Sequence, residues 1–287
     1  MASTLAPAQQ AVAAPAAAVP TAVERRRPRA GGAVRAARTL LLRSSAIVIF
    51  LAVWEIVPRV GLADRALFPP FSDDVDAWWH LARNGMLWSN TSASLKRSLA
   101  GFVIAVGIGV PLGLLIAWYR PVRHFLLPLL ELWRNTAALA LLPVFTLFLG
   151  IGETSKIAIV FYACLFPVLL NTISGVGEVD PLLVKSARSL GFSSLQLFRK
   201  VVLPAAVPSI FTGVRMAGAS SILVLLAAEM GGAKAGLGYD IIRTQQNFEI
   251  PNMYAGIITI ALLGVLINAA LVRLERRASR WRDDFRR

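Results

Sequence analysis

The stretch that decides the fold is residues 98–119, SLAGFVIAVGIGVPLGLLIAWY, which contains no charged residue. A helix needs about 20 apolar residues to cross the hydrocarbon core of a membrane, which is roughly 30 Å thick. Uncharged runs of similar length occupy residues 135–152, 157–177 and 250–272. In residues 209–228 the one charged residue is Arg215. These runs predict five membrane-spanning helices.

A sixth apolar run is shorter and lies near the beginning of the chain. It begins near Leu40 and continues through residues 44–54, until Glu55 and Pro58 end it. The chain has 56% hydrophobic and 16% charged residues, whereas a typical soluble domain has about 25% charged residues. The sequence therefore predicts an all-α integral membrane protein with six transmembrane helices.

The net charge of +14 comes from 30 lysines and arginines against 16 aspartates and glutamates. Such a surplus is typical of proteins that bind nucleic acids or anionic membranes. With both termini inside, 20 of the basic residues lie in cytoplasmic segments and six in outer segments, as the positive-inside rule requires. The charge therefore indicates topology. We predict a multi-pass protein of the cell membrane, in contact with lipid, with both termini cytoplasmic and no nucleic-acid partner.

Composition divides the chain into four parts. Residues 1–43 are rich in arginine, alanine and proline and predict a disordered cytoplasmic tail. Residues 44–97 contain the first transmembrane helix and an extracytoplasmic interfacial segment. Residues 98–272 form the core transmembrane domain, and residues 273–287 form a basic cytoplasmic tail.

The cytoplasmic segment 178–208 is the most informative polar part of the sequence. Asp180 and Pro181 are typical of an N-cap and a first helical position, and Gly191 is typical of a helix end. This pattern predicts a short helix outside the membrane.

A second short helix follows in the same segment. Ser193 and Gln196 have the spacing of a capping box that opens it, and Leu203-Pro204 is expected to end it. Both helices carry apolar residues on one side. A helical pair of this kind needs a partner surface to cover its apolar face.

The same segment carries a family resemblance. Its residues have the spacing of the EAA loop in binding-protein-dependent ABC transporter permeases at Ala187, Gly191, Val201, Leu203 and Pro204. The chain also resembles the aliphatic sulfonate, nitrate and taurine branch of that superfamily in residues 133–135, 141–143, 148–156, 208–218, 228–230 and 236–239. The resemblance covers about residues 65–280.

The resemblance implies the permease subunit of an ABC importer for a small anionic solute, of the aliphatic sulfonate, taurine or nitrate type. It implies three protein partners: a dimer of ABC ATPase subunits, an extracytoplasmic substrate-binding protein, and a second permease copy in a homodimer. The residues expected to couple to the ATPase are Lys185, Ser186, Ala187, Arg188, Gly191, Leu195, Phe198, Leu203 and Pro204. The family loop usually begins Glu-Ala-Ala, whereas this loop begins Lys185-Ser186-Ala187, so one charge is reversed.

The candidates for a pathway or gate role are Arg134, Asn135, Arg215 and Glu229. Charges within spans are costly and usually face a pathway, a partner or the interface. Arg134 and Asn135 offer an anion a charged donor and an amide, while anchoring at the cytoplasmic interface competes for Arg134. Packing or snorkelling competes with a gate role for Arg215, and hydration at a helix end competes for Glu229.

A kink near Asn135 is left open by the sequence. The family commonly has a proline two or three residues further on, whereas residues 136–138 of this chain are Thr-Ala-Ala. A proline would break the helix by removing a donor and colliding with the preceding turn.

No catalytic chemistry is predicted. Cys164, His80 and His124 are too few for the usual zinc site, and the two histidines fall on opposite sides of the predicted membrane. An ATP site needs a glycine loop ending in Gly-Lys-Ser or Gly-Lys-Thr, and none of the lysines follows a glycine. We therefore expect no enzyme activity, no metal and no cofactor in this chain, with ATP hydrolysed on another subunit.

The alternative is a stand-alone secondary carrier or channel for a small solute. Such a protein needs its own coupling-ion residues near the bilayer midplane and often has an inverted repeat. No acidic residue lies in the middle of a predicted span, and the two halves show no repeat. ATP dependence of uptake discriminates between the two functions.

Overall fold

A computed structural model describes the backbone of residues 31–278 and the side chains of residues 45–277. Every regular element in this range is helical. In chain order the elements are α1 (Gly31–Arg59), α2 (Phe71–Arg83), α3 (Met86–Trp118), α4 (Arg120–Arg134), a 3-10 turn (Ala138–Leu141), α5 (Leu142–Leu149), α6 (Glu153–Gly177), α7 (Pro181–Ser189), α8 (Ser194–Leu197), a π turn (Phe198–Val202), α9 (Leu203–Met230), α10 (Leu237–Gln246) and α11 (Ile250–Ala278). The chain divides into two units between Ala52 and Val53, and the packing described below is that of the second unit.

Four membrane-crossing helices are long and apolar enough in the described range: α3, α6, α11 and the continuous run Ser194–Met230, which includes α9. α4 and α5 make a fifth span if they are counted together, with a break at which the axis bends by 83°. The predicted span 135–152 therefore corresponds to the second half of this bent pair, whose first half begins at Arg120. The predicted all-helical membrane fold is confirmed.

The beginning and end of the chain are described only in part. The predicted first span, residues 44–54, lies inside α1, and its crossing of the membrane stays a prediction. α1 begins at Gly31, inside the segment predicted as a disordered tail. Residues 1–30 and 279–287 lie outside the described range.

α3, α6 and α9 pack together at the centre of the bundle. A Cβ atom at Gly101 would lie 2.7 Å from Val160 Cγ1, and one at Gly113 would lie 2.8 Å from Thr172 Cβ. α3 and α6 therefore approach so closely that only glycine fits at these positions. The central buried cluster consists of Ala105, Ile159, Val160, Cys164, Val168, Ala217, Leu225 and Ala228.

Two short helices cover the end of the bundle at which α9 ends and α11 begins. α2 packs on α11, where Trp78 Nε1 donates to Thr259 Oγ1 at 3.0 Å. α10 contacts α3, α9 and α11. A second buried cluster joins these elements through Leu81, Leu87, Leu237 and Ala255. This is the outer end in the predicted topology.

The second loop helix does not end at Leu203-Pro204, and that prediction is wrong. The backbone passes through the π turn and continues directly into α9. In a regular helix a proline lacks the N–H and its ring collides with the carbonyl four residues earlier. The π turn shifts the hydrogen bonding by one residue, with Leu203 N bonded to Phe198 O, and so accommodates Pro204 without a break.

Candidate coupling surface and outer ion cluster

Local caps build the first helix of the cytoplasmic segment as the sequence predicts. The Asp180 side chain accepts a hydrogen bond from Leu182 N at 2.8 Å and so begins α7. Beyond the end of α7, Gly191 has φ +79°, and Phe192 N donates to Ala187 O at 3.1 Å. Glycine suits this left-handed position because it has no Cβ.

The second helix opens with the predicted capping box. Gln196 N donates to Ser193 Oγ at 3.3 Å, and Ser193 N donates to Gln196 Oε1 at 2.9 Å. Two otherwise unpaired backbone donors are thereby satisfied. The turn between the two helices is consequently fixed by local bonds.

The inner side of this helical pair is packed against the bundle. Ala187, Leu197 and Val202 are buried together. The Phe198 ring meets Trp118 at the end of α3 edge-on, with 5.2 Å between ring centroids. The segment is therefore a fixed part of the fold.

The outward side of α7 and α8 is apolar and uncovered within the described chain. More than half of each of four leucine residues is exposed: Leu182, Leu183, Leu190 and Leu195. We call these four residues the coupling surface. Sequence periodicity shows that each helix has an apolar side, but the leucines and Ala187 are all apolar, so the pattern alone misses which of them face outward.

The residues predicted to couple are divided between the two sides. Those exposed beside the leucines are Lys185, Ser186, Arg188, Gly191 and Leu195. Those wholly or half buried are Ala187, Phe198, Leu203 and Pro204. Ala187 is 6% exposed, so its place is inside the bundle.

A buried network of charges joins the three central helices at the other end. Glu229 of α9 is fully buried and accepts hydrogen bonds from Ser94 Oγ at 2.9 and 2.8 Å and from Arg97 Nη1 at 2.6 Å. Arg97 of α3 also forms a two-pronged ion pair with Glu153 at the start of α6, through Nε and through Nη2 at 2.6 Å. Lys156 of α6 is buried beside them. We call Arg97, Glu153, Lys156 and Glu229 the outer ion cluster.

The same network caps the N-terminus of α10. Three successive backbone donors are satisfied: Gly236 N by Asn90 Oδ1 at 3.1 Å, Leu237 N by Ser94 Oγ at 2.9 Å, and Gly238 N by Glu229 Oε2 at 3.0 Å. A carboxylate is favourable at a helix N-terminus, where the free N–H groups give a partial positive charge. The loop before α10 is thereby attached to α3 and α9.

Lys156 ties a further loop to this end. Its Nζ donates to Gly152 O at 3.2 Å and to Gly232 O at 3.3 Å. The two cations and two carboxylates of the outer ion cluster balance, so that its buried charges are compensated.

Comparison of the sequence with known protein families identifies the family of the chain. The model of the family of binding-protein-dependent transport system inner membrane components matches residues 109–280. The chain belongs to this family. It is the permease of an ABC importer, an integral membrane transport subunit and not an enzyme, and its family works with an ATPase subunit and a substrate-binding protein.

Individual proteins resemble this permease over most of their length. The putative aliphatic sulfonates transport permease protein SsuC of Escherichia coli (strain K12) is 37% identical over 82% of this chain and 89% of its own. The taurine transport system permease protein TauC of the same organism is 32% identical over 86% and 92%. A chain of the MetNI methionine ABC transporter in inward-facing conformations has a TM-score of 0.55 and 21% identity, over 70% of this chain and 96% of that one.

The permease has its four candidate pathway residues in three places. Glu229 lies in the outer ion cluster, paired with Arg97, for which the sequence analysis assigned no role. The sequence did contain one indication of this pair: Arg97 and Glu229 carry opposite charges and lie at the same predicted level of the membrane. Arg215 of α9 pairs with Glu275 of α11 at 3.0 Å. Arg134 and Asn135 are exposed at the end of α4, and no ion pair joins them to the cluster in the described range.

The span of the permease that carries Arg134 and Asn135 is the broken one. The open expectation of a kink is answered by the 83° bend between α4 and α5, although residues 136–138 contain no proline. Ala137, with φ −61° and ψ 118°, leaves the helical conformation there. Both side chains therefore lie at the bend between α4 and α5.

One further carboxyl group of the permease is unusual. Asp74 of α2 is fully buried, and neither of its oxygens has a hydrogen-bond partner among the described residues. Burial raises the pKa of Asp74 to about 7, and the nearby charges of Asp73 and Glu55 act in the same direction. The site therefore favours the neutral acid.

Proposed function

We propose that this permease imports a small anionic solute of the aliphatic sulfonate, taurine or nitrate type. The names of the two Escherichia coli relatives support an organosulfonate. Arg134 and Asn135, exposed at the break in a span, support an anion, because an arginine and an amide together offer charged and neutral donors.

The observation that carries the coupling mechanism is the coupling surface. Four exposed leucine residues on a segment whose other side is packed into the bundle need an apolar partner. We assign that partner as a groove on each subunit of an ATPase dimer. ATP can shift the permease between its states only if the ATPase binds one state better than the other.

The second permease copy is a further part of the proposal. No residue of α4 or α5 is buried within this chain. Phe125, Leu147 and Phe148 are each at least 80% exposed. A homodimer that encloses the pathway between two copies would cover part of this surface.

The cytoplasmic position of both termini follows from the positive-inside rule.

The decisive experiment is co-purification of the tagged permease with its ATPase subunit in detergent. We expect Leu195→Asp and Gly191→Val to lose the ATPase, because the first places a charge in the contact and the second strains a left-handed turn. Leu274→Asp is the matched control, since Leu274 is similarly exposed near the end of α11 and outside the coupling surface. Retention of the ATPase by both test variants would contradict the assignment.

Transport by the complete complex tests the substrate. The complex with its binding protein is placed in liposomes, and ATP-dependent uptake of taurine, ethanesulfonate and nitrate is compared. We expect uptake of one of these anions, lost without ATP. Uptake that continues without ATPase and ATP would instead support the stand-alone carrier.

A further inference from the structure

A proline lies shortly after the break between α4 and α5. Pro143 is the second residue of α5. In an unbroken helix its ring would collide with the carbonyl of Leu139. The backbone instead closes α4 with a tight turn, in which Thr136 N donates to Trp133 O at 3.1 Å. Pro143 disfavours a regular helix through Leu139 but does not fix the angle between the two halves.

The two halves pack against the bundle only through partly buried residues. α4 and α5 contain no buried residue, whereas α6 beside them buries residues along its whole length. Helices are held in place mainly by burial of an apolar face. A specific attachment to α6 would therefore have a large influence on the break.

Tyr162 of α6 provides such an attachment on both sides of the break. Its ring lies edge-on to Trp133 of α4, at 6.5 Å between centroids, and to Phe145 of α5, at 6.2 Å. Its hydroxyl donates to Trp133 O at 3.0 Å. The ring is itself supported by Phe166, one turn further along α6, at 5.1 Å.

The hydroxyl bond has a clear physical reason. The last four carbonyls of a helix have no partner within the helix. Trp133 O belongs to this group in α4, and its two lone pairs accept both Thr136 N and the Tyr162 hydroxyl. Phenylalanine at position 162 would keep the ring contacts and lose only this bond.

We propose that Tyr162 is a positioning residue of the translocation pathway. It holds the two halves of the broken span at their angle and so sets the orientation of Arg134 and Asn135, which follow Trp133 directly. This inference rests on the proposed function, because it takes these two residues to face the transported anion.

The test measures the break by the reactivity of a cysteine placed at it. Asn135→Cys is introduced in a Cys164→Ala background, and the permease with its ATPase is placed in nanodiscs. The rate of modification by a charged methanethiosulfonate reagent is measured without nucleotide and with ATP plus vanadate. Tyr162→Phe is compared with Tyr254→Phe, a matched control whose hydroxyl also donates to a backbone carbonyl, Leu67 O at 3.5 Å.

We expect the modification rate to differ between the two nucleotide states in the parent and in Tyr254→Phe. In Tyr162→Phe the ratio of the two rates should fall by about fivefold, since one hydrogen bond no longer favours one orientation. Co-purification with the ATPase should be unchanged. Equal ratios in Tyr162→Phe and Tyr254→Phe would overturn the proposal.

Failure of the proposed function has a different signature. If the parent forms no complex with the ATPase, the coupling assignment fails. The modification rates of the permease alone then still decide whether Tyr162 holds the break. Equal rates in Tyr162→Phe and Tyr254→Phe would overturn the proposal for Tyr162. A rate in Tyr162→Phe that differs about fivefold would support it.

Discussion

The outer ion cluster and the coupling surface lie at opposite ends of the same bundle and differ in burial and in the source of their contacts. At the outer end, three of the four charges (Arg97, Lys156 and Glu229) are buried, and each has partners within the chain. At the end predicted to be cytoplasmic, leucines are exposed and no residue of the described chain covers them. A buried ion pair cannot lose one member cheaply, because an uncompensated charge is left behind, whereas an apolar surface can change partners. The outer end therefore depends on contacts within the chain, whereas the coupling surface needs a partner.

The largest expected effect comes from breaking the outer ion cluster. Arg97→Met leaves buried Glu229 without its cation and should lower the free energy of unfolding by about 3 to 5 kcal/mol. Thermal unfolding in detergent measures the change. The double variant Arg97→Met with Glu229→Gln should recover part of the loss, because no lone charge remains. If Arg97→Met alone were as stable as the parent, the outer end would not depend on its buried ion pairs, and the comparison with the coupling surface would fail.

A smaller effect should come from Asp74, and it should depend on pH. The pKa of Asp74 is raised from 3.8 to about 7 in the folded chain, so the stability that it contributes is complete below pH 4 and is lost as pH rises through about 7. Asp74→Asn should therefore be more stable than the parent above pH 7, by about 1 to 3 kcal/mol.

Thermal unfolding between pH 4 and pH 8 measures this dependence. Asp76→Asn is the control, since Asp76 is exposed on the same helix and should change the pH profile little. A gap between Asp74→Asn and the parent that does not widen with rising pH would show that Asp74 is not a buried charge.

The smallest effect on stability should come from Glu153. This residue allows an exposed charge to be compared with the buried charges of the same cluster. Its side chain is 64% exposed although it shares Arg97 with buried Glu229. Glu153→Gln should cost less than about 1 kcal/mol, and the cost should shrink at high salt because exposed pairs are screened. A loss as large as that of Arg97→Met would mean that both carboxylates hold the outer end equally.

Local patterns carried most of what the sequence could predict. The apolar runs gave the membrane fold, and the caps at Asp180 and Ser193 gave both short helices of the coupling segment, because a cap depends on neighbours within a few residues. Leu203-Pro204 misled for the same reason, since a π turn five residues long accommodates the proline.

The sequence could not predict contacts between residues that are far apart in the chain. The ion pair of Arg97 with Glu229 joins residues that are 132 positions apart, and no local rule links them. The break after Arg134 was likewise invisible in residues 136–138, which contain no proline. Only the packing of α4 and α5 against Tyr162 makes the geometry of this candidate site apparent.

The continuous helix from Ser194 to Met230 connects the coupling surface with the outer ion cluster and can act as a lever between them. It begins beside Leu195 in the coupling surface and ends beside Glu229 in the outer ion cluster. At 1.5 Å per residue these two residues lie about 50 Å apart along the axis, so a tilt of roughly 5° displaces one end by about 4 Å relative to the other. A small rotation imposed by a nucleotide-driven partner on one side of the membrane is thus already large enough, by leverage alone, to be felt on the other side.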